Sequence, residues 1–244
     1  MILEIFKYSL EYAVKDKIAF IKLSLLTIFS FLIIPFIMIE GYYYRIIAIQ
    51  LASFINANDP LPSYKNIKKL LEAGIKVIFV SFVYSLPFFI AIFFEFDNIV
   101  TIREYGVYIN IATAATPIAI IILIGFLTFL VSKVAIVNMV YKKSLYSAFK
   151  LGELKTLISE IKVFNYFKFF IMHILLLIAI LFGLFFTVEF IGSVLGLNLI
   201  PVNLYFFTLG LDLTILFLVY ILIVYPLIKI FEARAIASIF NIRE

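Results

Sequence analysis

Phe167 to Val188 reads FKFFIMHILLLIAILFGLFFTV, and this stretch decides the class of fold. After Lys168 it carries no ionisable side chain except His173 until Glu189 is reached. A helix needs about 20 apolar residues to cross the hydrocarbon layer. In lipid the backbone must satisfy its own hydrogen bonds, so a run of this length is a transmembrane helix rather than a strand. Four further runs pass the same test, at about 18–39, 75–94, 111–131 and 203–227. Lys22 lies close enough to the end of the first to snorkel. Pro35, Pro87, Pro117 and Pro226 fall within or at the ends of these runs and predict kinks.

Composition leads to the same class. Of 244 residues 65% are hydrophobic and only 14% charged, against about 45–50% and about 25% in soluble domains. A water-soluble core could not hide that excess. The expected fold is an all-α integral membrane protein: one membrane domain over residues 1–244, built as a bundle of about five transmembrane helices with amphipathic interfacial helices. There is no cysteine and a single histidine, which excludes disulfides and thiolate chemistry and would leave a zinc site almost all carboxylate, against the usual ligand preference. No cofactor is expected. The net charge of +5 does not indicate nucleic acid, because the basic residues collect in loops between apolar runs.

Three stretches outside the spans are amphipathic. In 1–17, Leu3, Phe6, Leu10 and Val14 form a stripe. The charges of this segment, Glu4, Lys7, Glu11, Lys15, Asp16 and Lys17, do not suit a secretory signal, so it is expected to stay on the protein. In 63–76, Ile67, Leu70, Leu71 and Ile75 lie opposite Lys68, Glu72 and Lys76, with Ser63 as the expected N-cap. In 144–162, Leu151, Leu154, Ile158 and Ile161 oppose Lys155, Ser159 and Lys162. Helices of this kind lie in the interface plane or dock on the bundle ends.

Lys and Arg concentrate after the first and third runs and in the C-terminal tail, whereas 96–110 carries only Arg103 and 189–202 neither. The basic segments are therefore expected to be cytoplasmic, with the C-terminus among them, in a cell membrane. Five spans then place the N-terminus outside, which conflicts with Lys7, Lys15 and Lys17. A re-entrant hairpin at the middle of the first run would leave it inside. A weak internal repeat favours the opposite. Lys69 to Val77 resembles Lys155 to Val163, and Arg45-Ile46-Ile47-Ala48 resembles Arg234-Ala235-Ile236-Ala237. Both alternatives stay open at this point.

Gly41-Tyr42-Tyr43-Tyr44-Arg45 is followed by Leu61-Pro62, then Leu70-Leu71-Glu72-Ala73-Gly74-Ile75-Lys76, then Tyr84-Ser85-Leu86-Pro87. That order resembles the uncharacterised membrane-protein family catalogued as domain of unknown function 4013, found mainly in methanogenic archaea. The resemblance covers most of the chain and is specific from about Pro35 to Pro87. It implies a multi-pass membrane protein and brings no activity with it. Where the family follows Leu-Pro with acidic residues and a tryptophan, this chain has Ser63-Tyr64-Lys65-Asn66 and no tryptophan at all. No role of an acidic patch is carried over.

Few residues are candidates for chemistry. Asp212, about a third of the way into the last run, is costly in lipid at about 2.5–3.5 kcal/mol. It reads either as a proton or cation site or as a carboxyl satisfied by Thr208, Thr214 or a neighbouring helix. His173 reads as a proton relay or as the source of one interhelical hydrogen bond. Gly41 and Arg45 read as a hinge with a headgroup contact, or as a helix end in an aromatic belt. Ala112, Ala115 and Ala119 suggest a close helix contact, Gly192 and Gly196 a turn, and Glu95 and Glu189 exposed end caps. The chain lacks a P-loop, a paired-histidine metalloprotease motif and a nucleophile elbow, which argues against an enzyme. The expected function is partner docking or lipid organisation without catalysis, with membrane lipid and a protein at the cytoplasmic face as partners. The alternative is a small-solute or ion transporter, or a subunit of one, working through Asp212.

Overall fold

The structure is a computed structural model that describes residues 2–53, 59–103, 106–109, 111–197, 201–203 and 208–241. The protein is all-α and of membrane type, with two short antiparallel hairpins between helices. In chain order the elements begin with α1 (Ile2–Val14), α2 (Lys17–Ile28), α3 (Ile33–Leu51) and α4 (Ile67–Ile99). Strands β1 (Val100–Arg103) and β2 (Gly106–Ile109) then precede α5 (Ile111–Lys142), a 3-10 turn (Leu145–Phe149), α6 (Leu151–Glu160) and α7 (Val163–Leu195). Strands β3 (Pro201–Asn203) and β4 (Thr208–Gly210) lead into α8 (Leu211–Val219), a π turn (Tyr220–Val224) and α9 (Tyr225–Phe240). Ala112, on α5, has a side chain outside the described set.

Four helices among the described residues are long and apolar enough to cross a membrane: Ile67–Phe96, Ala114–Lys142, Val163–Leu195 and Leu211–Phe240. They correspond to the last four expected spans. The first expected span, 18–39, is not one helix. Asp16 caps α2 by accepting the Ile18 and Ala19 amides on Oδ1 at 2.9 and 3.1 Å. The chain leaves helical geometry at Phe29 and restarts at Ile33. Pro35 accounts for the break. It has no amide to bond the Phe31 carbonyl and its ring crowds that position, so it fits the first turn of a new helix but not the middle of an old one.

Other boundaries moved for local reasons. The expected interfacial helix 63–76 is not separate: its residues from Ile67 onward are the first turns of α4, entered through Asn66 at φ 58. Ser63 does not cap it, and accepts the Lys65 amide instead. The 144–162 stretch divides into the 3-10 turn and α6, and Leu151 stands exposed rather than in the apolar stripe. In α1 the face turned inward is Ile5, Phe6, Ser9, Tyr12 and Ala13, while Leu3 and Val14 are exposed. The run expected to start at about 203 starts at Leu211, after the β3–β4 hairpin.

The chain falls into two compact units, residues 1–74 with 159–244, and residues 75–158. In the first, α9 is the central element. Every residue from Ile230 to Phe240 is buried, and α1, α2 and α3 pack on this helix. Farther along, α7 packs on α8, and α2 reaches the π turn. That turn precedes Pro226, which lacks the amide needed to continue an ordinary ladder; the Tyr225 amide bonds the Tyr220 carbonyl instead. In the second unit, the 3-10 turn packs on α5. Phe149 lies 6.0 Å from the rings of both Phe79 and Tyr84, and the Tyr84 hydroxyl donates to the Ala148 carbonyl at 2.7 Å.

Candidate functional site

Gly41 and Gly74 mark a close crossing of two helices in the first unit. A Cβ on Gly41 would stand 2.0 Å from the Leu70 carbonyl oxygen, and one on Gly74 1.9 Å from that of Ile37. Only hydrogen fits between α3 and the start of α4. Gly41 is thus a packing glycine in mid-helix rather than a span end. Tyr42 and Tyr43 beside it are buried, not arrayed in a belt.

Arg45, one turn on, holds the segment 59–66 that links α3 to α4. Its guanidinium donates to the carbonyls of Ser63, Lys65 and Asn66, at 2.8 and 3.0 Å for the last two. The same segment is held elsewhere along its length. Tyr64 stacks on Tyr42 with centroids 4.5 Å apart and donates to the Ala19 carbonyl. Tyr12 donates to the Pro60 carbonyl at 3.1 Å, and Lys15 to that of Asp59 at 3.3 Å. The Leu61-Pro62 motif therefore sits in a strap of extended chain fastened to α1, α2 and α3.

Asp59 ties this strap to α9. Arg234 Nη2 lies 2.7 Å from Asp59 Oδ2, and the guanidinium carbon stands 4.3 Å from the Tyr12 ring centroid. Burial works against ionisation of Asp59, but the Arg234 and Ser53 hydrogen bonds bring its carboxyl below the usual range. Burial also pushes the Tyr12 phenol up to about 12, with Arg234 opposing. One and a half turns earlier on α9, Lys229 Nζ contacts Glu40 Oε1 of α3 at 2.5 Å. This ammonium also lies 5.1 Å from the Tyr43 ring and 5.8 Å from that of Tyr225. Glu232 is buried nearby. At the end of α9 the Asn241 amide donates to the Gln50 and Ser53 carbonyls, closing α3 on α9.

Sequence reasoning missed this charged seam because Lys229 and Arg234 look like an ordinary cytoplasmic tail. Glu40, 189 residues from Lys229 in sequence, looks like a residue just past the end of the first span. The visible signal was that charges interrupt otherwise apolar helices, which in lipid demands partners. The seam pairs charge with charge and joins helices; no cavity opens on it among the described pockets.

Asp212 and His173 are far apart. Asp212 occupies the first turn of α8, is buried, and packs on α7 at Gly192, where a Cβ would come within 2.7 Å of the aspartate Cβ. Its Oδ1 accepts the Leu213 amide at 2.8 Å. Gly192 is therefore a helix-contact glycine rather than a turn residue, and the turn falls to Gly196, the left-handed cap of α7 at φ 68. His173 sits in an aromatic box, stacked on Phe231 at 5.5 Å and on Phe169 at 6.2 Å, with Phe6 and Phe170 edge-on. Gly192 lies nineteen residues beyond His173 on α7, about 28 Å along the helix, so the two ionisable groups do not meet. Among the described residues no cluster of three or more His, Asp or Glu side chains is arranged to hold a metal ion.

The second unit contains a groove between α4 and α5 of about 510 Å³, lined by Ser81, Tyr84, Ser85 and Phe88 on one side and by residues from Ile122 to Lys133 on the other. Nearby, Asn138 donates to the Ser147 carbonyl and to Glu153, which also pairs with Lys142 and Lys150. Hydrogen bonds from Lys150 and Asn138, with Lys142, hold the Glu153 carboxyl down at about 2.

No curated protein and no solved structure matches the chain. A family profile described as protein of unknown function (DUF4013) matches residues 27–189. That range runs from the end of α2 to the far end of α7. It takes in the glycine crossing, Arg45 with its strap, and the α4–α5 groove. The chain belongs to the DUF4013 family of proteins of unknown function.

Proposed function

We propose that this protein organises lipid without catalysis, and that it does so through an α2–α3 hairpin set into one leaflet. The observation that carries this reading is the length and surface of that hairpin. With 12 residues, α2 extends only about 18 Å, against a hydrocarbon core of about 30 Å. Its tip presents Phe29, Phe31, Leu32, Ile33 and Ile34 to the surroundings, Phe31 at 78% and Ile33 at 77% exposure. α2 packs against the π turn, partway along the Leu211–Phe240 helix, while α1 and α3 pack on the α9 part. An apolar tip at that level meets acyl chains, and Lys15, Lys17 and Lys22 on its flank suit headgroups. Such a wedge displaces lipid on one side of the bilayer only. The basic loops make that side cytoplasmic, and the outward face of α1, with Lys7 and Tyr8, is the surface there for a protein partner.

The chain has no tryptophan, so Phe31→Trp introduces a single reporter. In vesicles containing brominated phospholipids, quenching is expected to be strongest for bromines deep in the acyl chains. Strongest quenching by shallow bromines, or none, would overturn the hairpin. The transport reading draws less support. It needs Asp212 to face a polar cavity, whereas that carboxylate is buried against Gly192.

A further inference from the structure

We propose that the 3-10 turn after α5 and the first turns of α6 form a docking surface for the anionic headgroups of membrane lipids. This surface lies wholly in the unit formed by residues 75–158. It rests on the lipid reading in general but not on the α2–α3 hairpin, which belongs to the other unit.

The depth of this segment follows from its neighbours. The apolar run of α5 ends at about Val131, before Ser132 and Lys133. The helix itself continues to Lys142, about 16 Å farther. The chain then turns back. Phe149 and Leu151 line a recess of about 480 Å³ together with Val83, Pro87, Leu127 and Val131. The Tyr84 hydroxyl fastens the turn there by donating to the Ala148 carbonyl at 2.7 Å. The start of α6 therefore returns to the level at which α5 leaves the hydrocarbon. At that level Leu151 is 66% exposed, with Tyr146 on the same turn at 71%.

The sign of the headgroup follows from the lysines. Residues 141–158 carry four of them, Lys142, Lys143, Lys150 and Lys155, against the single carboxylate of Glu153, a net charge of +3. Lys142 and Lys150 share that carboxylate at 3.2 and 3.0 Å, so one anion serves two cations. The Lys150 ammonium also lies 5.4 Å from the Tyr146 ring centroid. α6 buries Leu154 and Leu157 and turns out Leu151, Gly152 and Lys155. A Cβ at Gly152 would meet nothing within 4 Å, so this side of the helix is open. Lys155 follows Leu151 by four residues and shares its face. Among the described residues it has no carboxylate partner. An exposed leucine and tyrosine beside lysines in excess of acid, at the edge of the hydrocarbon, match an anionic leaflet surface. An acidic protein would satisfy the lysines but would have to enter the lipid to cover Leu151.

The test uses the full chain with one reporter on this surface, Tyr146→Trp, which keeps an aromatic ring beside Lys150. The protein is placed in phosphatidylcholine vesicles containing a minor fraction of phosphatidylglycerol. Quenching is compared with bromine on the phosphatidylglycerol acyl chains or on an equal fraction of the phosphatidylcholine. Phosphatidylglycerol is expected to be enriched about fivefold at the reporter. Lys150→Gln combined with Lys155→Gln should bring the two lipids to parity, and the two Lys→Arg changes should keep the preference. Gly152→Lys, which adds a charge in open space, should raise the preference and serves if the double glutamine variant fails to fold. Equal quenching by the two lipids before any lysine is changed would overturn the proposal. So would a preference that neither falls with the glutamines nor rises with Gly152→Lys. Absence of quenching by either lipid would overturn it too and leave the surface to an acidic protein. Phe31→Trp reads the α2–α3 hairpin in a separate variant, so the two readings fail independently.

Discussion

At the scale of single residues, burial rather than charge type decides which side chains matter most. Gly41 and Gly74 lie under carbonyl oxygens that cannot move without shifting a helix. Gly41→Ala or Gly74→Ala is expected to destabilise by about 2 kcal/mol or more, the overpacking range, read as a lower unfolding midpoint in detergent. Gly183→Ala, where a Cβ meets nothing within 4 Å, should be neutral or slightly stabilising. Arg234 and Asp59 give an asymmetric pair, since the arginine side chain is 2% exposed and the aspartate 25%. Asp59→Asn leaves a buried guanidinium without its counter-charge and should cost about 3 kcal/mol. Arg234→Met leaves a carboxylate that water can reach and should cost less, with faster proteolysis of the strap as the readout. Asp212→Asn removes a negative charge at a helix start but keeps an acceptor, so only a small loss of thermal stability is expected. A large change in solute uptake would instead favour the transport reading. The glycine crossing and the Arg234–Asp59 pair were not legible beforehand, because each joins residues distant in sequence and Gly41 read equally well as a hinge.

At the scale of elements, hydropathy located the long helices and said little about their ends. The stripe of 63–76 runs in phase into the apolar run after it, so nothing in the pattern separated an interfacial helix from the first turns of α4. The break in the first run was legible in part, from Pro35 and from the conflict over the N-terminal lysines. The turn between α5 and α6 depends on Glu153, whose carboxyl is held at about 2 by Lys150, Asn138 and Lys142. A lowered value means that its contribution is complete above the ordinary carboxyl range and is lost as pH falls toward 2. Hydrogen exchange in 145–160 should therefore accelerate between about pH 4.5 and about pH 2. Glu153→Gln should already be loose at neutral pH and lack that acid limb.

At the scale of the whole molecule, membrane class was legible from composition alone, whereas topology was not. The positive-inside pattern counts lysines without knowing whether an apolar run crosses or turns back. Under the proposed hairpin the conflict would disappear: four crossings would return the chain to the side on which it began, and the basic N-terminal segment and the basic tail would share one side. The chain is free of cysteine, so single cysteines placed at Glu4 and at Asn241 can be labelled with an impermeant maleimide in sealed vesicles of known orientation. The account predicts that both positions label from the same side, and only in vesicles that expose the cytoplasmic face. Labelling of Glu4→Cys from the face opposite to Asn241→Cys would contradict it.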